Sequence, residues 1–349
     1  MYSLINNGLD FDDVLLHPLP NKTGISSRSQ VELTVQYTFV NRKTKEEETL
    51  PPTIPIVAAN MDKIGLFEVA KVLSQFKMIT FLHKHYGVED YKSNSNVYDP
   101  RYVGVSVGTS DRDMRNLKEI LEYNPEIKYI CFDVANAYLE VAYDIQKQLS
   151  KLYPDKVIVS GNVVDGRGVE NLRHSDIIKV GLGSGSVCTT RIKTGVGVPQ
   201  LSAIFNCVNS IHNKYIMSDG GCRYPGDIVK SFVAGANYVM LGGMLAGHDE
   251  GGGDIITKGD RSYRRFYGMS SSTAMNIHNG GVANYRASEG KTVEIPHKGA
   301  VSSTLQDILG GLRSACTYVG ASELKELSKR TTFIRVTQQL NNSLNAYEI

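Results

Sequence analysis

The chain has 349 residues, 41% hydrophobic and 21% charged, a balance ordinary for a soluble globular protein that buries a sizeable core and unlike that of a disordered one. Against 36 acidic side chains stand 38 basic ones, a formal net charge of +2, so no global field favours nucleic acid or an anionic membrane. Any anionic ligand must be bound locally. The cysteines (Cys131, Cys188, Cys207, Cys222 and Cys316) are odd in number, widely spaced and free of any C-x-x-C pair, which argues against a disulfide framework or a zinc site. The first residues lack a basic region and an apolar run, and no stretch approaches the ~18 apolar residues of a membrane span, so a reducing cytoplasm is expected.

Residues 1–54 read as an arm or cap. Asp10-Phe11-Asp12-Asp13-Val14-Leu15-Leu16 is followed by Pro18 and Pro20, and the alternation Val31, Leu33, Val35 predicts a short hairpin. Asn41 to Glu48 reads as a solvated hairpin tip. From residue 55 a unit recurs, a short β-branched strand and then a segment of helical periodicity. The strands are expected at Ile56–Asn60, Met78–His83, Tyr102–Val107, Tyr129–Asp133, Val157–Gly161, Ile177–Gly181, Tyr215–Asp219 and Tyr238–Gly242. Leu66, Val69, Ala70, Leu73 and Phe76 share one helical face, as do Ile228, Val229, Phe232, Val233 and Ala236. Eight such units mean a (β/α)8 TIM barrel in one large domain, with chemistry at the carboxyl ends of the strands.

Polar residues cluster where that rule puts them, at Asn60-Met61-Asp62, His83-Lys84-His85, Asp133 with Asn136, Gly161-Asn162, Asp219 and Gly242, and strand interiors are expected to be nearly free of them. Residues 244–302 delay the closing helix, expected at Thr304–Val319. An excursion of this length from the catalytic face reads as a lid or flap, or else as a surface insertion for oligomer contacts. Arg330 to Gln339 reads as a C-terminal arm.

The densest chemistry lies at residues 178–191. Gly181, Gly183 and Gly185 free the backbone of a loop that ends in Cys188, Thr189, Thr190 and Arg191, a thiol, two hydroxyls and a fixed cation. A free cysteine is more often a small core hydrophobe, so the stretch alone leaves both readings open. Asp219-Gly220-Gly221 and Gly242-Gly243 stand where barrels hold phosphate with bare amides, the competing reading being two tight turns. Asp219 is suited to ribose hydroxyls, which points to a nucleoside monophosphate. Within the excursion, Gly268-Met269-Ser270 adds a hydroxyl, and Glu289 stands between Arg286 and Lys291, as a general base, a partner for a base edge or part of a solvated charge run. No G-x-G-x-x-G opens a βαβ unit, so a Rossmann site is not expected.

Eight segments carry a resemblance: Leu-Asp-Phe-Asp-Asp-Val-Leu-Leu (9–16), Ala-Ala-Asn-Met-Asp (58–62), His-Lys-His-Tyr (83–86), Asp-Val-Ala-Asn (133–136), Gly-Ser-Val-Cys-Thr-Thr-Arg (185–191), Ser-Asp-Gly-Gly-Cys (218–222), Met-Leu-Gly-Gly-Met-Leu-Ala-Gly (240–247) and Arg-Ala-Ser-Glu-Gly-Lys (286–291). Over nearly its whole length the chain resembles the IMP dehydrogenase and GMP reductase superfamily of barrel enzymes. The resemblance implies NADPH-dependent reductive deamination of GMP to IMP and ammonia in a cytoplasmic homotetramer. Cys188 would attack C2 of guanine, with Thr190 and Glu289 as proton relay and Lys84 assisting near the leaving group or cofactor. Asp219, Gly220, Gly221, Gly242, Gly243, Gly268, Met269, Ser270, Arg286, Ala287, Ser288, Glu289 and Gly290 would bind GMP. Lys84, Asp133, Val134, Ala135, Leu182, Gly183, Met269, Tyr285, Arg286, Ser314, Ala315, Cys316 and Thr317 would face NADPH, with Ser27 and Arg28 reaching a neighbouring subunit's cofactor. Carbonyls of Gly183, Gly185 and Cys188, with Arg191 nearby, would hold a monovalent cation, usually potassium.

Two features separate the branches of that family. Dehydrogenases usually carry a regulatory insert after the second strand, and His85 to Arg101 leaves no room for one. They also hydrolyse their intermediate with an Arg-Tyr pair, whereas Tyr285-Arg286 has the reverse order. A dehydrogenase without its insert, or a barrel that binds GMP without chemistry, are the alternatives. The family's loop reads Gly-Ile-Gly-Pro-Gly-Ser, so Leu182 and Ser184 are departures, and the missing proline is expected to loosen the loop. Ala137 also stands where the family has a glycine.

Overall fold

The computed structural model describes residues 8–20, 25–210 and 214–337. Eight parallel strands close a barrel: β1 (Ile56–Ala58), β2 (Ile79–Leu82), β3 (Val103–Val107), β4 (Tyr129–Asp133), β5 (Val157–Val163), β6 (Ile177–Val180), β7 (Tyr215–Asp219) and β8 (Tyr238–Leu241). Each pairs with its sequence neighbours, and Val239 opposite Ile56 closes β8 onto β1. Both faces of these strands are buried, which is why they read as short β-branched runs rather than alternating ones. Parity decides which side faces in. On β6, Ile177 joins Met217, Tyr238 and Met240 inside the barrel, while Ile178 and Val180 pack outward against the helices. By the same parity Lys179 points inside, where its Nζ lies 3.9 Å from the Met240 sulfur. The expectation that strand interiors are nearly free of polar groups therefore fails at this residue.

The helices bury the faces their spacing indicated. Val69, Ala70 and Leu73 of the Phe67–Gln75 helix are buried, as are Ile228, Val229, Phe232 and Val233 of Pro225–Val233. The closing helix runs Val301–Val319, three residues longer at its start than expected. Its first amide, Val301 N, donates to Glu250 Oε2 at 2.9 Å. An acceptor borrowed from a distant loop satisfies a helix terminus that the local sequence leaves bare. Among the described residues no helix is long and apolar enough to cross a membrane.

The arm does two separate things. Residues 8–13 lie at the catalytic mouth, where Asp10 pairs with Arg191 at 3.6 Å and Leu9 N donates to Ser202 Oγ at 2.7 Å. The stretch around Phe39 and Leu50 plugs the other end, packed against Tyr129, Val157, Ile177 and Tyr238 at the strand starts, while Val31 and Leu33 before it join the cluster of the closing helix. The expected hairpin at Val31, Leu33 and Val35 is instead an extended, buried stretch, and the hairpin forms further on, between Thr38–Val40 and Glu47–Thr49. Val14–Leu16 pairs antiparallel with Phe333–Arg335, giving the C-terminal arm its anchor. The end of that arm, through Gln339, lies outside the described residues.

The excursion is a folded unit. β9 (Ile255–Lys258), β10 (Arg261–Tyr267) and β11 (Thr292–Pro296) form an antiparallel sheet, and the Ser272–Asn279 helix follows β10. Most of the sheet is exposed and held by charge pairs, such as Arg265 with Asp254 at 3.1 Å and Lys258 with Glu294. Only Phe266 and Tyr267, at the end of β10, are buried. A sheet with so little core has a weak hydrophobic pattern, and the sequence reading saw no strands there.

Candidate active site

The loop after β6 turns at Gly181 (φ +151°) and Gly183 (φ +77°), positions that side chains rarely tolerate. At Gly181 a Cβ would also collide with the Asp219 carbonyl. Cys188 N closes the loop on Gly185 O at 3.0 Å, just ahead of the short Thr190–Thr194 helix. The flap is stitched to this loop through its backbone. Thr189 N donates to Glu289 O at 2.8 Å and Lys291 N to Val187 O at 2.9 Å, while within the flap Glu289 N donates to Ser270 O at 2.9 Å. Of the two readings of the excursion, these contacts favour the lid.

That stitching brings together residues about a hundred positions apart. The Cys188 thiol lies 3.2 Å from Thr190 Oγ1, and the Thr190 hydroxyl donates to Glu289 Oε2 at 2.7 Å. A hydroxyl that accepts from sulfur and donates to a carboxylate is a proton relay. Cys188 is half-buried, not the fully buried thiol of a packing residue, whereas Cys131, Cys207 and Cys316 are buried and free. Burial pushes the Cys131, Cys207 and Cys316 thiols up to about 12.

The three residues border a cavity of about 1270 Å³. On one side Gly220 (φ +93°) and Gly221 (φ +86°) follow Asp219, and a Cβ on Gly243 would clash with the Ser186 hydroxyl, so bare backbone faces the space there. Gly242, Gly268, Met269 and Ser270 also line it. Asp133, Val134, Ala135, Leu182 and Gly183 line it as well. At the floor is Lys179, which the sequence reading did not single out. Its ammonium contacts Asp133 Oδ1 at 2.5 Å and Asp219 Oδ2 at 3.0 Å. Burial opposes the charge on both Lys179 and Asp133, yet Lys179 holds Asp133 below the usual carboxylate range and the two carboxylates hold Lys179 above its own. The signal was a lone cation at an inward position of an apolar strand.

Other expected site residues stand apart from this cavity. Lys84, after β2, reaches towards Asp113 at 3.9 Å rather than the thiol. Tyr285 is 93% exposed, and Arg286 and Ala287 are exposed beside it, on the flank of the flap. Ser288 Oγ is occupied within the flap, donating to Gly290 O at 3.2 Å, whereas Gly290 itself lies directly opposite Cys188 where the flap meets the thiol loop. Arg191 pairs with Asp10 and donates from Nη2 to Val198 O at 2.6 Å, off the cavity wall. Ser27, Arg28, Ser314, Ala315 and Thr317 do not border the cavity; Glu32 bonds Ser322 and Leu324, and the Arg28–Gln30 turn lies against the closing helix that carries the last three. The Cys316 side chain is wholly buried in the cluster that holds Leu312, Val319 and Leu324, so its thiol faces the core. It occupies the inward position of a helix whose neighbours face out.

A second polar cluster, unassigned from sequence, anchors the flap. Asp62 Oδ2 accepts from the Tyr267 hydroxyl and from His278 Nε2, both at 2.7 Å, and the His278 ring stacks on His85 at 3.6 Å. His83 stacks in turn on Tyr86 at 3.9 Å. Burial, then the neighbouring His85, lowers His83 to about 4, and burial, then His278 and Lys84, lowers His85 to about 4. Asp62 opposes both shifts, as Asp113 does for His85, while Lys63 adds to that of His83. Between pH 6.5 and about 4 the unfolded chain thus binds more protons at these rings than the folded one, so stability falls as pH drops through that window. The melting temperature is expected to decline there, and less steeply in His85→Gln, which carries one ring fewer to charge. Equal slopes for the two proteins would contradict this.

Comparison with known proteins agrees with this geometry. The sequence model of the IMP dehydrogenase / GMP reductase domain matches residues 8–342. The chain is 50% identical to the GMP reductase of Ascaris suum over 98% of its length and 96% of that protein's. It is 53% identical to human GMP reductase 2 over 95% of each chain, and 50% identical to the Caenorhabditis elegans GMP reductase over 98% of its own length and 95% of that protein's. The chain belongs to the IMP dehydrogenase / GMP reductase family.

Proposed function

We propose that the chain is a GMP reductase: GMP, NADPH and two protons give IMP, NADP+ and ammonium. The observation that carries this reading is the continuous path from the Cys188 sulfur through Thr190 to the Glu289 carboxylate. Cys188 adds to C2 of the purine while its proton passes through Thr190 to Glu289. The same path, run backwards, delivers a proton to the departing amine, leaving a thioimidate on Cys188. When bound, NADPH supplies the hydride that resolves this bond to IMP and releases the thiolate. Asp219 is suited to the ribose hydroxyls, and the glycine-lined wall at Gly220, Gly221, Gly242 and Gly243 to the phosphate.

The cavity fits two ligands rather than one: its volume exceeds the roughly 300–1000 Å³ of a typical single-ligand site, and the Asp133–Ala135 wall is left for a nicotinamide. Lys84, Met269, Tyr285 and Arg286 belong to our cofactor assignment. Ser27 and Arg28 with Ser314, Ala315 and Thr317 would serve a neighbouring subunit's cofactor in a homotetramer, a reading supported by their position off the cavity lining. Carbonyls of Gly183, Gly185 and Cys188 suit a weakly charged ion such as potassium, which would order the thiol loop, with Arg191 alongside. Support for reductase over dehydrogenase comes from the β2–β3 connection, which holds one short helix, Val88–Ser93, and one turn. We place the enzyme in cytoplasmic purine interconversion.

The test follows NADPH absorbance with purified protein, potassium and GMP, beside a parallel reaction of IMP with NAD. Oxidation that depends on GMP is the expected result. Reduction of NAD with IMP alone would make the protein a dehydrogenase, and inactivity in both would leave a binding protein.

A further inference from the structure

Lys179 enters the barrel interior from β6 and is 1% exposed. An ammonium there is tolerated only if opposite charge and hydrogen bonds replace its water. Two registers explain how it gets them. Asp133 on β4 stands opposite Gly161 on β5, and Gly161 stands opposite Lys179 on β6, so the three lie at one level of the barrel. A Cβ on Gly161 would collide with the Lys179 side chain, so the glycine on the intervening strand opens the path by which the ammonium reaches Asp133. On the other side the ammonium meets Asp219 Oδ2, which also accepts from Asn162 Nδ2 at 2.9 Å. Asn162 is fixed in turn through Gly181 O at 2.9 Å, at the root of the thiol loop. The ammonium thus bridges two carboxylates that both border one cavity.

We propose that Lys179 is a positioning residue that locks the carboxylate for the nucleotide, Asp219, to the carboxylate for the cofactor, Asp133, so that both ligands are held in one register. The inference rests on the assignment of Asp219 to the nucleotide and Asp133 to the cofactor proposed above. It assigns no chemistry to the lysine, which touches neither thiol nor relay.

Removing the ammonium leaves two carboxylates in one confined chamber, where like charges oppose joint ionisation and one takes up a proton nearer neutrality. Lys179→Met is therefore expected to raise KM for GMP and for NADPH together, to lower kcat about 100-fold through misplacement, and to add an ionisation limb to the pH profile of kcat/KM. Unchanged KM values with an unchanged profile would overturn the assignment. Should that variant fail to fold, Asp133→Asn/Lys179→Met removes the like-charge pair, and its GMP affinity is compared by calorimetric titration with that of Asp133→Asn alone. Binding about tenfold weaker in the double variant is the expected result. Equal affinities would overturn the role of Lys179 while leaving GMP as the ligand, whereas absence of GMP binding by the unmodified protein would overturn the functional reading itself.

Discussion

Cys188→Ala is expected to lower kcat for GMP-dependent NADPH oxidation by about 10⁴-fold or more, because removing the nucleophile from a set of residues that act as one unit costs nearly the whole of their joint effect. The C2 amine is a poor leaving group, and without the carbon–sulfur bond the ring offers no intermediate from which it departs and to which hydride adds. Binding is expected to survive. The bonds that dock the flap on the thiol loop run through the backbone at Val187, Thr189 and Glu289, and the cysteine's own loop contact is its amide to Gly185. Calorimetric titration should accordingly give GMP affinity within a few-fold of the parent, with the melting temperature unchanged. Cys188→Ser keeps a hydrogen-bonding group beside Thr190 but exchanges sulfur for a weakly nucleophilic hydroxyl, and is expected to be nearly as inactive. Turnover within tenfold of the parent in either variant would remove the covalent step from the mechanism.

The barrel was legible because its strands are buried on both faces and punctuated by Gly, Asn, Asp or His, so that Tyr129–Asp133 and Tyr215–Asp219 could be bounded to the residue. The relay was legible only in parts. Cys188 and Thr190 are neighbours in sequence, but Glu289 reaches them through flap contacts that no local pattern encodes, and its place came from resemblance to the family. What stayed hidden shares one cause, partners distant in sequence. Lys179 becomes intelligible only when β4, β5 and β6 are aligned, and the early start of Val301–Val319 only when Glu250 is seen at its end. The flap sheet escaped because exposed charge pairs, not an apolar stripe, hold β9 to β11. Asp62, His85 and His278 come from the β1 loop, the β2 loop and the flap helix, and each alone looks like a turn or cap residue.

Glu289→Gln tests the far end of the relay. The glutamine keeps the length of the side chain, its carbonyl oxygen still accepts from the Thr190 hydroxyl, and the backbone docking of the flap through Thr189 N and Val187 O is untouched. What it loses is the capacity to store the proton that leaves Cys188 and to return it to the amine. The variant is expected to hold KM for GMP within a few-fold while kcat falls by about 10²–10⁴-fold, the usual range for a general acid–base group. Thr190 separates relay from packing: Thr190→Ser retains a hydroxyl between sulfur and carboxylate and should keep most activity, whereas Thr190→Val fills the same space without one and should fall as far as Glu289→Gln. Combining Thr190→Val with Glu289→Gln should cost little beyond either alone, because a path already broken at one link loses nothing at the next. Additive losses in the double variant would show that the two side chains act separately, and would sink the single path from sulfur to carboxylate on which the proposed mechanism depends.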